Sequence, residues 1–259
     1  MRLVSLGDVL LDVIVRLEQP LVPGDDQVAV TRTGAGGQAA NVAAWARSLG
    51  ADARFVGKRG GDAAGALVTR ELEERGVDVA GPVGGRTGVV VSLASAGDRT
   101  MASDRGTAVT LEERELEPAW FDCDVLHLSG YSLLREPIAA AAVRSAQLAR
   151  AHGARVSIDV SSWTLVDSAF RARVREVAPD LLFATEREQT ALGEVDARWV
   201  IKRGPAGLSV DGRDYPAAAT DAIDTTGAGD ALAAGFLVGG PQLGLEAAAT
   251  CCSQLGAMP

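Results

Sequence analysis

The sequence is poor in the side chains on which zinc centres and many hydrolases depend. Its 259 residues include two histidines, His127 and His152, and three cysteines, Cys123, Cys251 and Cys252. There is no C-x-x-C pair and no His/Cys cluster with zinc spacing, and no G-x-S-x-G motif indicates a serine hydrolase. Adjacent cysteines pair poorly with each other, so we expect free thiols in a reducing, cytoplasmic setting.

Positive charge is also scarce. The chain has 25 Lys and Arg against 34 Asp and Glu, a formal net charge of -9, and no basic run offsets it. Such a chain should be repelled by nucleic acid and anionic membranes. No apolar stretch has the length of a membrane span, and the N-terminus lacks the layout of a signal peptide. A bound polyanion would therefore depend on backbone N–H groups, a metal ion and a few basic side chains.

Apolar residues (47%) and glycine (30 residues) are abundant, whereas aromatics amount to 4%. The apolar content can form one large core, and we expect a single domain over residues 1–259. The glycines indicate tight turns or close approaches of the backbone to a ligand. The few aromatics mildly disfavour a nucleoside pocket built on base stacking.

Strand and helix patterns alternate along most of the chain, which predicts an α/β fold with a mostly parallel sheet covered on both faces. A helix of small residues follows Gly37 and ends at Gly50. Other strands are predicted at 2–6, 53–57, 124–129, 155–159, 181–184 and 198–202, and helices at 62–76, 136–151, 169–177, 227–238 and 244–256.

Two insertions interrupt this rhythm. Residues 9–17 and 27–32 are predicted to pair as strands, and 87–94 with 99–103, joined by 95–98, as a β-hairpin. We expect these four strands to form a small separate sheet, a lid assembled from approximately 9–33 and 86–105.

The sharpest motif is the glycine-rich turn of residues 224–236, which opens into an apolar helix. Glycines allow successive N–H groups to point into one concavity, and the helix dipole adds positive potential there. This arrangement suits a phosphate. Asp230, at the mouth of the turn, could accept a proton from a hydroxyl, or could simply cap the helix.

The stretch 224–236 resembles the C-terminal signature of the ribokinase (PfkB) family of carbohydrate kinases. Residues 36–43 resemble the family's second signature, and further matches lie at Gly7 with Asp12, at 61–65 and at 203–207. The matches follow the family order from residue 3 to residue 257. The resemblance implies a ribokinase-like three-layer α/β/α sandwich with a small β-sheet lid.

The resemblance also implies an activity: transfer of the γ-phosphate of ATP to a hydroxyl of a sugar or sugar-like molecule, with Mg²⁺ and in some relatives K⁺. It assigns Asp230 as general base, with Gly227, Ala228 and Gly229 as the anion hole. It further assigns acceptor contacts to Asp12, Gly37, Gln38 and Asn41, nucleotide contacts to Thr185, Lys202, Gly204, Gly207 and Thr226, and a monovalent cation to Asp224. A homodimer through the lid is a further expectation.

The sequence departs from the family pattern on the nucleotide side. Thr185 stands where the motif N-x-x-E has Asn, whereas Glu188 matches its Glu, implied to support Mg²⁺ through water. The stretch 189–200 is short, and relatives usually carry another helix there. Arg105, after the lid hairpin, lies where some members present an arginine to the acceptor. We therefore expect Arg105 to contact the acceptor, for example a carboxylate group on it.

Other functions fit less well. Residues 34–39 match the dinucleotide pattern G-x-G-x-x-A, but they do not follow the first strand of a βαβ unit. Gly57-Lys58 lacks the upstream glycine of a phosphate-binding loop. A nucleoside kinase of the same fold, or a non-catalytic sugar-binding member, stays an alternative to the carbohydrate kinase.

Overall fold

A large sheet forms the centre of the molecule. The structure, a computed structural model, describes residues 1–95 and 98–259, which contain a nine-stranded sheet, a four-stranded sheet and seven α-helices. The strands are β1 (Arg2–Leu6), β2 (Leu10–Leu17), β3 (Ala29–Gly36), β4 (Asp52–Val56), β5 (Asp78–Ala80), β6 (Thr87–Ser95), β7 (Asp98–Gly106), β8 (Val125–Ser129), β9 (Arg155–Asp159), β10 (Leu181–Thr185), β11 (Arg198–Lys202), β12 (Leu208–Val210) and β13 (Arg213–Tyr215). The large sheet has the order β13-β12-β11-β10-β9-β8-β1-β4-β5 and is parallel from β11 to β5.

Helices cover both faces of this sheet. They are α1 (Gln38–Ser48), α2 (Ala63–Glu74), α3 (Ile138–Ala151), α4 (Ser168–Val177), α5 (Glu186–Leu192), α6 (Ala228–Gly239) and α7 (Pro241–Cys252). One core cluster joins the sheet to α3, α4 and α5, and a second joins it to α1, α6 and α7. Within the described residues, no helix is both long and apolar enough to cross a membrane.

The two cores explain the continuous apolar runs in the central strands. In β1, Leu3 belongs to the second core and Val4 to the first, and in β8, Val125 and Leu126 are divided in the same way. Neighbouring strand residues point to opposite faces, so a strand buried on both faces carries few polar residues. The predicted α/β fold with a mostly parallel sheet is confirmed.

The small sheet has the order β3-β2-β6-β7 and combines the two insertions. β2 is antiparallel to β3, with Asp12 opposite Gly34, and parallel to β6, with Asp12 beside Val90. The predicted separate sheet is therefore confirmed. Ala96 and Gly97, in the predicted hairpin turn, lie outside the described residues.

Several predicted boundaries were wrong. β3 continues to Gly36 rather than ending at residue 32, because Gly34 and Gly36 still pair with β2. α7 spans Pro241–Cys252 rather than 244–256, since proline suits the first turn of a helix and the chain turns again after Cys252. The sequence analysis did not predict α5, a helix of seven residues held by a capping box.

Asp62 joins the small sheet to the body. Its carboxylate accepts hydrogen bonds from Gly65 N (2.9 Å), as the N-cap of α2, and from the backbone N–H (2.9 Å) and hydroxyl of Thr87 at the start of β6. The Thr87 hydroxyl, the Thr87 N–H and the Gly65 N–H together lower the pKa of Asp62 to about 2. One carboxylate therefore caps a helix and fixes the base of the small sheet.

We predict that Asp62→Ala lowers the free energy of unfolding at pH 7 by about 1–2 kcal/mol, the usual effect of losing a helix cap. The folded-state pKa is depressed, so this contribution is present at neutral pH and is lost as pH falls through about 2. Urea unfolding of both proteins measures it at pH 7 and at pH 3. The second pH lies between the unfolded-state pKa of about 4 and the folded-state pKa of about 2, so the difference between the two proteins should be smaller there. Equal stability at pH 7 would contradict the assignment; Asp211→Asn, at an exposed ion pair, is the control.

Candidate active site

Five neighbouring parallel strands place polar residues at one edge of the large sheet. Asp8 follows β1, and Ser129, Asp159, Thr185 and Lys202 end β8, β9, β10 and β11. The chain order reverses at β1, since β4 lies on one side of it and β8 on the other. Ligands of parallel α/β sheets bind at the carboxyl ends of the strands, near such a reversal.

The glycine turn before α6 reaches this edge. Gly227 is the N-cap of α6, with φ +78°, and a Cβ on it would lie 2.5 Å from the Cβ of Ala257. Glycine is therefore required both by the backbone conformation and by the C-terminal segment behind it. Ala257 is held in turn by a 2.8 Å hydrogen bond from Trp45 Nε1 to its carbonyl oxygen. This support fixes the start of α6, whose first N–H groups have no acceptor within the helix and are potential anion donors. Of the predicted donors, Ala228 N–H already donates to the Thr225 carbonyl oxygen at 3.3 Å.

Asp230 lies in the first turn of α6 and accepts a 2.7 Å hydrogen bond from Nδ2 of Asn41 on α1. Asp230 is only partly buried, but desolvation by the groups around it raises its pKa to about 8; the Asn41 hydrogen bond and the Lys202 charge oppose this rise, whereas Asp159 and Asp8 add to it. Asn41 is itself buried, and among the described residues its Oδ1 has no hydrogen-bond partner. The pair thus offers a carboxyl group of raised basicity beside an unsatisfied amide oxygen.

Lys202 and Asp159 form an ion pair next to the turn. Lys202 Nζ lies 2.6 and 2.8 Å from the two carboxylate oxygens of Asp159, whose side chain is 2% exposed. The same ammonium group lies 3.7 Å from the position that a Cβ on Gly229 would take. Burial lowers the pKa of Lys202, but Asp159, Glu188 and Asp230 outweigh it and raise the pKa above its ordinary value.

The small sheet contributes Asp12 and Arg105 to the same side. The carboxylate of Asp12 lies directly over Gly36, because a Cβ on Gly36 would come within 2.1 Å of it. Arg105 is ion-paired with buried Asp8, and its guanidinium carbon stacks 3.6 Å from the ring centroid of Tyr131. The predicted acceptor residue Arg105 therefore connects the small sheet to the end of β1.

Gln38 and Gly37 lie at the start of α1. The side-chain oxygen of Gln38 is 2.6 Å from the Ser129 hydroxyl and 2.7 Å from the Ser161 hydroxyl, which fixes the side chain between β8 and β9. Gly37 has φ +102°, and a Cβ there would lie 2.6 Å from the carbonyl oxygen of Asp8. Of the predicted acceptor residues, Gly37, Gln38 and Asn41 thus lie at the start of α1, where Asn41 contacts Asp230, and Asp12 lies over the neighbouring Gly36.

Thr185 and Glu188 form the capping box of α5. Glu188 Oε2 accepts from Thr185 N at 2.7 Å, and Thr185 Oγ1 accepts from Glu188 N at 3.3 Å. Glu188 is 6% exposed.

Gly204 and Gly207 form the turn between β11 and β12, where a Cβ on Gly207 would lie 2.0 Å from the Tyr215 carbonyl oxygen. Both glycines have positive φ. At Gly207 the backbone conformation and the nearby carbonyl oxygen both require glycine.

Asp224 organises the loop before α6. Its Oδ1 accepts from the backbone N–H (2.9 Å) and hydroxyl (2.6 Å) of Thr226, and its Oδ2 accepts from Gly256 N (3.1 Å). These bonds tie the loop to the C-terminal segment. Within the described residues there is no group of three or more His, Cys, Asp or Glu side chains placed to hold a metal.

Comparison with known proteins identifies the family. The family model described as "pfkB family carbohydrate kinase" matches residues 1–258. The chain belongs to the pfkB family of carbohydrate kinases. It is thus an ATP-dependent phosphotransferase of the carbohydrate-kinase class.

Relatives within the pfkB family differ in what their names say they phosphorylate. An ATP-dependent ribose-1-phosphate kinase of Halopiger xanaduensis is 33% identical over 256 residues, covering 91% of this chain and 83% of the relative. Fructokinase-1 of Oryza sativa is 30% identical over 275 residues, covering 90% and 81%. The crystal structure of adenosine kinase from Sinorhizobium meliloti superposes with a TM-score of 0.86 at 26% identity, covering 99% of this chain and 95% of that one.

Four features of this pfkB protein were not predicted from its sequence: Asp8, Tyr131, Asp159 and the Asn41–Asp230 contact. Asp8 and Asp159 do carry a signal, since each stands at the carboxyl end of an apolar parallel strand, where ligands bind. The partners of Arg105 and Lys202 could not be found in this way, because those contacts span 97 and 43 residues of sequence.

We predict that Asp230 titrates with a pKa of about 8, because desolvation disfavours its charged form. Carboxyl ¹³C NMR of the labelled protein would show one aspartate resonance titrating far above the ordinary value of about 4, absent in Asp230→Asn. Asn41→Leu removes a hydrogen bond that lowers this pKa and should move the titration higher.

The raised pKa of Asp230 also predicts how the free energy of unfolding depends on pH. A carboxyl group with a raised folded-state pKa loses stability as pH rises from about 4 to about 8, and Asp230→Asn should lack this loss. An Asp230 resonance that titrates near pH 4 would contradict the desolvation assigned to it.

Proposed function

We propose that the protein transfers the terminal phosphate of ATP to a hydroxyl group of a sugar or sugar derivative, with Asp230 as general base. The observation that supports this most directly is the position of Asp230 within the first turn of α6, beside backbone N–H groups suited to a phosphate. Phosphoryl transfer depends chiefly on such positioning and charge stabilisation.

The proposed step has a simple balance. The acceptor oxygen forms a bond to the terminal phosphorus, and the bond from that phosphorus to the bridging oxygen breaks, so ADP leaves with the electron pair. The acceptor proton passes to the Asp230 carboxylate and then to water. Asp230 acts in its deprotonated form, so we expect activity to rise with pH through its pKa.

Asn41 has two proposed roles. Its Nδ2 orients the Asp230 carboxylate, and its buried, unpartnered Oδ1 is an acceptor for a second hydroxyl of the substrate. Asp12, Gly37 and Gln38 complete the acceptor space. Vicinal hydroxyls both donate and accept hydrogen bonds, which suits this mixture of carboxylate, amide and backbone groups.

The nucleotide is proposed to bind across the ends of β10 and β11, at Thr185, Gly204, Gly207 and Thr226, with Lys202 next to its terminal phosphate. Mg²⁺ usually keeps several waters and binds nucleotide phosphates with one or two protein carboxylates. Glu188 fits such support through water, because one carboxylate oxygen is used by the capping box and no direct cage is present among the described residues. Bound there, the ion would neutralise charge on the phosphate oxygens.

A monovalent cation such as K⁺ near Asp224 stays a prediction. The Asp224 carboxylate already accepts three hydrogen bonds, which can hold the loop without an ion. The cytoplasm is the proposed compartment, because all three cysteines are free.

The homodimer through the small sheet also stays a prediction. β3 and β7 are the edges of that sheet, and Val30 and Met101 on them are 58% and 47% exposed. Exposed edges and apolar side chains are typical of surfaces that pair with another chain.

A nucleoside acceptor is the second candidate, favoured by the structural similarity to the adenosine kinase. An ADP-release assay with ATP and a panel of sugars, sugar phosphates, sugar acids and nucleosides separates the two. ADP formation that requires a sugar-class acceptor supports our proposal. Saturable sugar binding without turnover would instead indicate the non-catalytic member.

We predict that Asp230→Asn lowers kcat by about 10²–10⁴-fold, the usual loss of a general base, while the protein still folds. Steady-state ADP release with the best acceptor of the panel measures it, and thermal unfolding checks the fold. Asp211→Asn, which removes an exposed carboxylate paired with Arg198, is the matched control and should retain wild-type activity. Turnover of Asp230→Asn within threefold of the control would reject Asp230 as the base.

We also predict that Arg105→Ala raises KM for the acceptor by about 10–100-fold, the range for losing a hydrogen bond to a charged group, with the KM for ATP little changed. Initial rates over both substrates measure this. Arg86→Ala, which breaks an exposed ion pair with Asp104 in the same sheet, is the control. An unchanged acceptor KM would remove Arg105 from the substrate site.

A further inference from the structure

Lysine is nearly absent from this protein, and one of its two lysines lies in the candidate active site. Of 25 basic residues, Lys58 and Lys202 are the lysines and the others are arginines. Both lysines are ion-paired, Lys58 with Glu115 at 2.8 Å and Lys202 with Asp159 at 2.6 Å. Lys202 is therefore one of two ammonium side chains in a chain whose other basic residues carry guanidinium, and Lys58 provides a matched comparison.

The surroundings of Lys202 differ from those of an ordinary buried ion pair. Its Nζ lies beside Gly229, in the first turn of α6, and is 3.7 Å from the position of a Cβ there. A side chain at position 229 would therefore touch the ammonium group. Lys202 thus places a cation next to the first turn of α6, whose N–H groups carry partial positive charge, and Asp230 lies one residue further along the helix.

Asp159 is built to keep Lys202 in this place. Its side chain is 2% exposed, both of its oxygens contact Lys202, and its Oδ1 also accepts from Ser161 N at 2.9 Å. Ser161 has φ +73°, an uncommon conformation for a residue other than glycine. A fixed carboxylate of this kind orients the ammonium group before any ligand arrives.

We propose that Lys202 gives up part of its contact with Asp159 and donates to the phosphoryl group during transfer, as the cationic part of the anion hole. This inference rests on the proposed function. A phosphoryl group in transit spreads negative charge over three oxygens, and backbone N–H groups alone supply only partial positive charge. A compact ammonium with three donors can bond Asp159 and a phosphoryl oxygen together, whereas a planar guanidinium would need more room.

Lys202 also acts on the proposed base through its charge. The Lys202 charge lowers the pKa of Asp230, so it keeps more of the base deprotonated. Removing Lys202 should therefore slow the chemical step and also shift the pH at which activity appears towards higher values.

Four variants test this: Lys202→Met, Asp159→Asn, the double variant and the control Lys58→Met. We expect Lys202→Met to lower kcat by about 10²–10³-fold, the range for losing one anion-hole donor, with the acceptor KM within about threefold. The acidic limb of its pH–rate profile should move to higher pH. Asp159→Asn retains the ammonium group, so the Coulomb attraction between Lys202 and the phosphate is kept. Its kcat should therefore be at least about tenfold higher than that of Lys202→Met.

The double variant answers the case in which Lys202→Met fails to fold because Asp159 is left buried without its partner. It removes both charges and should show the same loss of kcat as expected for Lys202→Met. If Asp159→Asn and the double variant lose equal activity, the pair is structural and the proposal is overturned. A kcat of either Lys202 variant within threefold of Lys58→Met overturns it as well.

A binding measurement separates this inference from the proposed function. ADP with aluminium fluoride in MgCl₂ mimics the phosphoryl group in transit. In calorimetric titrations this mimic should bind Lys202→Met, or the double variant if the single one does not fold, at least about tenfold more weakly than wild type, in line with a hydrogen bond to a charged group. The dissociation constants of the two proteins for ADP alone should agree within about twofold. Wild-type protein that releases no ADP with any acceptor refutes the proposed function, whereas equal affinity for the mimic in both proteins refutes the role of Lys202.

Discussion

The hydrogen bond between Asn41 and Asp230 holds the candidate site together, because it joins the first turns of α1 and α6. The two helices bring different groups to that contact. α1 begins at Gly37 against the Asp8 carbonyl, on the side of the small sheet, and α6 begins at Gly227 against Ala257. The proposed acceptor space and the proposed anion-binding turn would therefore meet at one carboxyl group, which is the requirement for transfer between two bound substrates.

The charges around this contact are arranged in balanced pairs. Arg105 is paired with Asp8 on the proposed acceptor side, and Lys202 with Asp159 on the proposed phosphate side. The chain has a net charge of -9, so its surface as a whole repels polyanions. These ion pairs hold two cationic side chains at the candidate site. Asp230 has no cationic partner of its own at contact distance among the described residues, and desolvation raises its pKa to about 8.

The sequence predicts the fold class and the small sheet because both follow from local patterns: apolar strands between helices, and β-branched insertions. It also marks the glycine turn of α6, since Gly227 is needed for a positive φ. It could not give the partners of Lys202 or Asn41, which are brought together by sheet order rather than by spacing along the chain. The end of β3 was misplaced because Gly36 looks like a turn residue, whereas the carboxylate of Asp12 occupies the space where a side chain would stand.

A crystal structure with a non-hydrolysable ATP analogue and the acceptor tests the central claim most directly. We expect the terminal phosphate within about 2.7–3.1 Å of N–H groups at the start of α6, the range of anion-hole contacts, and the acceptor hydroxyl within hydrogen-bond reach of Asp230. A terminal phosphate bound away from that helix start, or an acceptor hydroxyl remote from Asp230, would contradict the account.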